Sequence, residues 1–439
     1  MIISNVNKST TNNRTRVSAD VIWENCDRPT RNIYIETEAE FGEDLNYNPN
    51  SFVLGTILPA MFHGERRLKI EGKVCPILRN GLITAIQILR SWYGEARHGD
   101  VTIEPTQGFA SAGTRKNRVS SFMSGGVDAL TTLYINRRDH PLDHPASIKD
   151  CFFVHGIDIG GYVTDDGSQA NSAKTIESLR PFTQKSNATL IPVWTNLRHL
   201  DDSDSFFHYQ YYGSVLASIA HAFHQRIGHV KVASGSSVED LSPHGSHPLL
   251  EPNFSSYDLS VYYDALRVRR FEKVGLISQW PEALSTLRAC FNPFRPADAF
   301  NCNKCEKCFR TMTELLIHGK LSQVPTYKYN DVTTEMIEKI NSYPLWMLRI
   351  FNKDLRRMDN QQALDYTLKE LAPASMNYWK EMVEPLQQMG RSDLANIIKS
   401  KCVAFERVEL WLGRIKHWDR RLLGRMISKS NSFLTKQKK

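Results

Sequence analysis

Four cysteines near the middle of the chain, Cys290, Cys302, Cys305 and Cys308, stand at C-x11-C-x2-C-x2-C spacing on a loop that leads into the helix-like FRTMTELLIHG. Two short Cys-x-x-Cys steps sharing Cys305, plus one remote thiol, can converge on a single tetrahedral ion. Four thiolates then form the closed shell of structural zinc. Lys304, Lys307 and Arg310 flank the cluster and suit its negative charge. A disulfide pair is the alternative reading. A redox Cys-x-x-Cys needs one exposed thiol of low pKa at a helix start, and here two overlapping steps compete for that place. The expectation is a four-cysteine zinc knot over residues 286–325.

A second group of residues suits phosphate chemistry. The β-like run Val119 to Met123 meets Ser124-Gly125-Gly126-Val127-Asp128, and ALTTLYINRR then reads as a helix. Glycines let the backbone curl close to an anion, and a new helix offers free N–H groups and the positive end of its dipole. No Gly-Lys-Ser/Thr follows, so this is not a Walker motif, and the G-x-G-x-x-G dinucleotide fingerprint is absent. A bare Gly-Gly turn between strand and helix is the structural alternative.

Ser124-Gly125-Gly126-Val127-Asp128 resembles the S-G-G-x-D-S pyrophosphate loop of the N-type ATP pyrophosphatases, the PP-loop group of the adenine nucleotide alpha hydrolase-like (HUP) superfamily. Its members cleave ATP to AMP and pyrophosphate while adenylating an oxygen of their substrate. The downstream cysteines narrow the likeness to 7-cyano-7-deazaguanine synthase-like proteins, whose four-cysteine zinc site ends in a run similar to Cys302-Asn-Lys-Cys305-Glu-Lys-Cys308-Phe-Arg310. The resemblance covers residues 119–319 or so. Two positions depart from it: the family's last loop serine is Ala129, with Thr131 and Thr132 the nearest hydroxyls, and His247-Pro248-Leu249 stands in place of Tyr-Pro-Asp.

The resemblance implies that Ser124, Gly125, Gly126 and Val127 take the pyrophosphate and that Asp128 fixes Mg²⁺ or the loop. Adenine and ribose would lie near Val154 and His155. Arg270-Phe271-Glu272 is similar to the synthases' Thr-Lys-x-Glu, so Arg270 or Lys273 would neutralise the α-phosphate. A solvated helix face is the alternative for the Arg267, Arg269, Arg270 and Lys273 run.

These residues need a scaffold, and the intervening pattern supplies one. VSSFM, CFFVHG, TLIPVW and VKVAS read as four short buried parallel strands. Between them lie ALTTLYINRR, the stretch NSAKTIESLRPFTQKSN interrupted by Pro181, and GSVLASIAHAFHQR, all at helical spacing. The predicted fold class is α/β with a doubly wound parallel sheet. In such sheets ligands sit outside the carboxyl ends of the strands, where His155 to Asp158 and Ser234-Gly235-Ser236-Ser237 fall; Gly235 is therefore a further nucleotide contact. VEDLSPHGSHPLLEPNFSSYDLS has no regular period and reads as a substrate-facing loop, with Glu239, Asp240, His244, His247 and Glu251 as its reactive candidates. VYYDALRVRRFEKVGLIS reads as one helix-like segment.

The 439 residues suffice for two or three domains, and 41% hydrophobic with 23% charged residues is ordinary for a globular chain. Expected boundaries are an N-terminal α+β module over 1–110, an ATP-binding domain over 118–285, the zinc segment, and a helical region over 326–439 with a basic tail. Cys26, Cys75, Cys151 and Cys402 lack useful spacing and suit buried thiols in a reducing compartment. No run of about eighteen apolar residues and no signal-peptide pattern occurs, so no membrane span and a cytoplasmic protein are expected. The net charge of +8 comes without any nucleic-acid-binding signature.

The expected activity is an ATP-dependent carbon–nitrogen ligase that uses ATP and Mg²⁺ beside structural Zn²⁺. A carboxylate or amide oxygen of a small molecule is adenylated and then attacked by ammonia or an amine. Open alternatives are thiolation of a tRNA or metabolite, and a non-catalytic zinc-stabilised nucleotide-binding protein. A tRNA or protein substrate and homodimer assembly also stay open.

Overall fold

The computed structural model of the chain describes residues 1–94, 99–157, 168–201, 203, 206–290, 299–340 and 376–416. Asp158, the stretch ALDYTLKELA and the basic tail beyond residue 416 lie outside them. The described chain falls into two compact units, Met1–Asn303 with His318–Asn330, and Lys304–Ile317 with Asp331–Lys439.

The first unit is α/β and is built on one ten-stranded sheet. Its strands are β1 (Ile2–Thr11), β2 (Arg14–Ile22), β3 (Arg31–Glu38), β4 (Arg67–Ile70), β5 (Thr102–Pro105), β6 (Val119–Phe122), β7 (Ile148–His155), β8 (Thr189–Thr195), β9 (His229–Ala233) and β10 (Ser260–Asp264). They lie in the order β10-β9-β6-β7-β8-β3-β2-β1-β4-β5. Six of the nine pairings are parallel; β1 with β2, β2 with β3 and β3 with β8 are antiparallel. The expected boundary near residues 110–118 thus falls between strands of a single sheet, joined where Ile35 of β3 lies beside Thr195 of β8.

The strands read in IYIETEAE, RRLKIEGKV and DVTIEP are present as β3, β4 and β5, and the four parallel strands read between residues 118 and 234 as β6 to β9. Their helices are α3 (Val127–Asp139), α4 (Ser168–Lys185) and α5 (Tyr212–Ala222), preceded in the chain by α1 (Pro49–Phe62) and α2 (Pro76–Tyr93). The chain steps outward from β6 to β7 to β8, then returns across β6 to β9. Right-handed crossovers therefore put α3 and α4 on one face and α5 on the other. There α5 packs on α1 through small residues: Ser51 Oγ donates to Ser218 O, Ser218 Oγ to Ser51 O, and Ser214 Oγ to Leu54 O. α1 starts at an Asn48 side chain that accepts from the Asn50 amide, with Pro49 in the first turn. It is buried on nearly every side.

Two readings are corrected. Pro181 does not interrupt its segment; α4 runs unbroken through it, because Leu179 and Phe182 are buried and packing outweighs the local cost. VYYDALRVRRFEKVGLIS is not one helix-like unit. Its Val-Tyr-Tyr start forms β10, parallel to β9, as its β-branched and aromatic composition favours, and α6 (Arg270–Ile277) begins only after a turn; α7 (Pro281–Thr286) follows.

The second unit is helical: α8 (Glu306–Ile317), α9 (Thr334–Glu338), α10 (Met376–Lys380), α11 (Val383–Gln388) and α12 (Ser392–Lys416). Met376, Trp379, Met382, Leu386, Leu394 and Ile398 are among its buried apolar residues, and Trp379 Nε1 donates to Glu306 Oε1 at 3.0 Å. No helix of the described residues is long and apolar enough to cross a membrane.

Candidate functional site

The sheet order reverses between β6 and β9, which are neighbours although α3, β7, α4, β8 and α5 separate them in sequence. At such a switch point the chain leaves two adjacent strands in opposite directions and opens a crevice at their carboxyl ends. Ser124–Asp128 follows β6 there, and Ser234-Gly235 follows β9.

Gly125 sits at φ +74°, where an L side chain is strained, and a Cβ on it would come within 2.9 Å of Thr286 O. Gly126 caps α3, and its amide donates to Ser124 Oγ at 3.2 Å, which closes the turn. The positive end of the thirteen-residue α3 therefore lies at the crevice, the arrangement that favours an anion.

Asp128 stands in the first turn of α3 and is met by two cations from α6. Lys273, only 1% exposed, donates to Asp128 Oδ1 at 3.1 Å and to Ser234 O, tying the ends of β6 and β9 together. Arg270 brings a guanidinium nitrogen to 3.8 Å from Asp128 Oδ2. At the start of α6 the Arg269 amide donates to Glu272 Oε2 at 3.0 Å, the acidic half of a capping box. Ser124, Gly125, Gly126, Val127, Asp128, Arg270 and Lys273 are thus brought together, with two cations set against one carboxylate.

Arg288 was not singled out in the sequence, yet it lies on the loop. Its amide donates to Gly125 O at 2.8 Å and its Nε to Ser124 O at 3.2 Å. The available signal was its place two residues before the first cysteine of the cluster. Ala129 is buried, and Thr131 turns its hydroxyl to Lys273 O at 3.5 Å, so it does not replace the missing loop serine.

Val154 and His155 end β7, the next strand over. His155 is buried, with Nδ1 at 2.5 Å from Ser172 Oγ on α4, and burial, with the nearby charges of Arg14 and His199, pushes its pKa down to about 4. It is a neutral pin between strand and helix at physiological pH. Gly235 faces open space where a Cβ would sit, and Ser234 Oγ beside it accepts from the Ser236 amide at 3.1 Å.

Candidates of the loop after β9 are engaged with the loop and with its neighbours. Glu239 pairs with Arg269, and Asp240 accepts from Ser237 Oγ at 2.9 Å. His247 packs edge-on against Trp92 at 4.8 Å between ring centres. Glu251 is fully buried; it accepts from Ser246 Oγ at 2.5 Å and from the His247 amide at 2.7 Å, and burial pushes its pKa up to about 8. Its carboxyl is therefore protonated at neutral pH and fastens the loop rather than facing a ligand.

The sulfur atoms of Cys290, Cys302, Cys305 and Cys308 lie within 4.8 Å of one another, and three of the four residues are buried. A zinc–sulfur bond of about 2.3 Å places tetrahedral ligand sulfurs roughly 3.8 Å apart, so the donor set fits zinc. Cys305 Sγ and Cys308 Sγ are 3.5 Å apart and no cysteine is in a disulfide, so the disulfide reading does not hold for this conformation. Arg310 pairs with Glu306 at 3.3 Å and lies over the Tyr378 ring, so its charge is engaged there rather than committed to the thiolates alone. Buried Asn301 shapes the loop: its Oδ1 accepts from the Ala289 and Cys290 amides, and its Nδ2 donates to Leu287 O.

Comparison with protein-family models, with curated proteins and with solved structures returned no match. The functional reading therefore rests on this geometry and on the motif likeness.

Proposed function

We propose that the chain is an ATP-dependent ligase of the PP-loop ATP pyrophosphatase type, similar to 7-cyano-7-deazaguanine synthases. The observation that carries this reading is a Ser-Gly-Gly turn with a left-handed glycine that caps a helix at the switch point between β6 and β9, with Lys273 and Arg270 converging beside it. The strand order β8-β7-β6-β9-β10 is the 3-2-1-4-5 order of doubly wound nucleotide-binding sheets.

In this reading ATP is a substrate. The loop amides and Ser124 hold its pyrophosphate portion, and the Val154–His155 end of β7 and Gly235 border the nucleoside. Adenylation of a carboxylate or amide oxygen gathers negative charge at the α-phosphate, and Arg270 and Lys273 lower the barrier by facing that charge from a water-poor site. The substrate oxygen attacks the α-phosphorus, the bond to pyrophosphate breaks, and ammonia or an amine then displaces AMP from the activated carbon. Asp128 orients both cations and would help hold Mg²⁺, whose charge would supply electrostatic stabilisation on the phosphates. The four thiolates would hold Zn²⁺ as a structural ion, with no position left for substrate.

Ala129 and the engaged hydroxyl of Thr131 favour one second reading, nucleotide binding without turnover. Pyrophosphate release from Mg²⁺-ATP by zinc-loaded protein separates the two, given ammonia and a panel of carboxylates that includes 7-carboxy-7-deazaguanine. AMP and pyrophosphate with one acid support the ligase. ATP binding with silence across the panel supports the second reading, and sulfide replacing ammonia as the productive nucleophile supports thiolation.

A further inference from the structure

The segment that leads into the first cysteine of the metal cluster is also the wall of the phosphate loop. Thr286 O lies where a Gly125 Cβ would point, the Arg288 amide donates to Gly125 O, and Arg288 Nε donates to Ser124 O. Two residues later Cys290 enters the cluster. On its other side the same segment is clamped: Asn301 Oδ1 accepts from the Ala289 and Cys290 amides, and Leu287 O accepts from both Asn301 Nδ2 and Thr326 Oγ1. Asn301 immediately precedes Cys302, so the residues beside two of the four thiols hold one short strand of backbone.

We infer that Arg288 is a phosphate-binding residue and that the metal cluster, through Cys290 and Cys302, sets the conformation of the phosphate loop. The inference rests on the phosphate-loop reading for its first half only. Arg288 is 6% exposed, and a guanidinium fixed by Nε on the loop's own carbonyl is held in one direction. It adds a third cation to Arg270 and Lys273, fixed on the backbone of the turn itself. Planar donors held in place suit phosphate oxygens better than a mobile ammonium does. The second half follows from connectivity. Gly125 keeps its left-handed conformation while residues 286–288 lie against it, and those residues are stationed by the contacts of Asn301, the neighbour of Cys302, with Leu287, Ala289 and Cys290. A metal that fixes this loop fixes the turn, as outer-shell hydrogen bonds couple ligands to their surroundings.

The test uses the full chain with zinc loaded. Magnesium pyrophosphate binding is measured by calorimetry, and backbone exchange by mass spectrometry. Arg288→Ala should weaken pyrophosphate at least about tenfold with zinc content unchanged, as loss of a charge-assisted hydrogen bond implies. Arg288→Lys should recover only part of that loss. Unchanged affinity in Arg288→Ala overturns the cation role, and a wild-type protein that binds no pyrophosphate overturns it together with the phosphate-loop reading. The coupling is read without nucleotide: stripping the metal should speed exchange in residues 124–130 and 286–290 while β7 stays protected. No change at 124–130, or loss of protection throughout the sheet, overturns the coupling.

Discussion

The two halves of the ten-stranded sheet use charge in opposite ways. In β6 to β10 one set of charged groups gathers at the carboxyl ends, where Lys273 and Arg288 are buried and both Lys273 and Arg270 face Asp128, apart from the pairs that Asp150 makes with Arg118 and Arg226 and that Lys231 makes with Asp264. In β1 to β5 they line the face as cross-strand ladders, with Arg14 and Arg16 both pairing with Glu36 at 3.0 and 2.7 Å while their own side chains stay more than a third exposed. Opposite charges across neighbouring strands steady a register. Buried charges converging on a glycine turn are expensive to desolvate, and nothing in sheet geometry requires them. On the proposed function, the difference separates a site in one half from its support in the other.

The sharpest way to break this contrast is Asp128→Asn. The amide keeps the volume but cannot hold both cations, so pyrophosphate release should fall beyond detection while the far-ultraviolet circular dichroism stays native. Full activity in that variant removes the crevice as the reaction centre. Lys273→Met comes next. It removes the ammonium that joins Asp128 to Ser234 O, leaving a buried carbonyl unpaired, and should cost about 1–3 kcal/mol of stability in denaturant titration as well as a hundredfold or more in turnover. A variant as stable as the parent would mean that the β6 and β9 ends do not depend on this tie.

How much of this was legible in the sequence differs between the halves for a physical reason. Buried parallel strands write themselves as short apolar runs, so β6 to β9 and the glycine turn were readable. β1 and β2 were not read, because Ser4, Asn5, Asn7 and Lys8 dilute the apolar alternation of β1. Their signal was Asn12-Asn13, both at positive φ, which turns the hairpin tightly. That one sheet runs through both halves could not be read at all, since the β3–β8 pairing is a contact between distant residues with no local mark. At the site, Asp128, Arg270 and Lys273 were found as types in a motif, and the cysteines by spacing. Arg288 was missed because its role comes from backbone that folds back onto Gly125, which only the tertiary structure specifies. Glu251 was named as reactive because loop acids in such positions often are, whereas its neighbours satisfy both carboxyl oxygens.

Glu251 sharpens the comparison with a smaller effect. Its folded pKa, near 8, is above the ordinary carboxyl value, so between pH 4.5 and 8 the folded state binds the proton that the unfolded state has released. Stability contributed by this group is therefore complete below pH 4.5 and is lost as pH rises through 8. Glu251→Gln should flatten that slope, because its carbonyl can accept from the His247 amide and its NH₂ can donate to Ser246 Oγ. Melting temperature measured from pH 5 to pH 9 reads this directly, and a slope unchanged by the substitution would mean that the carboxyl is ionised in the folded protein.

Arg16→Ala should have the smallest effect and bears most directly on the contrast between the halves. Arg16 pairs with Glu36 and lies over the Tyr34 ring at 3.9 Å, but its side chain is 40% exposed, and buried Glu36 keeps Arg14 as a partner at 3.0 Å. Solvent-screened pairs contribute about 0.2–1 kcal/mol, and with Arg14 left to pair Glu36 stability should fall by no more than about 1 kcal/mol and turnover should not change. A large loss of activity from this position would place the ladder in the working site and dissolve the division of labour. A small loss of stability alone is what a register device on a supporting sheet should show, since its partners survive the deletion and the crevice charges lie at the ends of other strands.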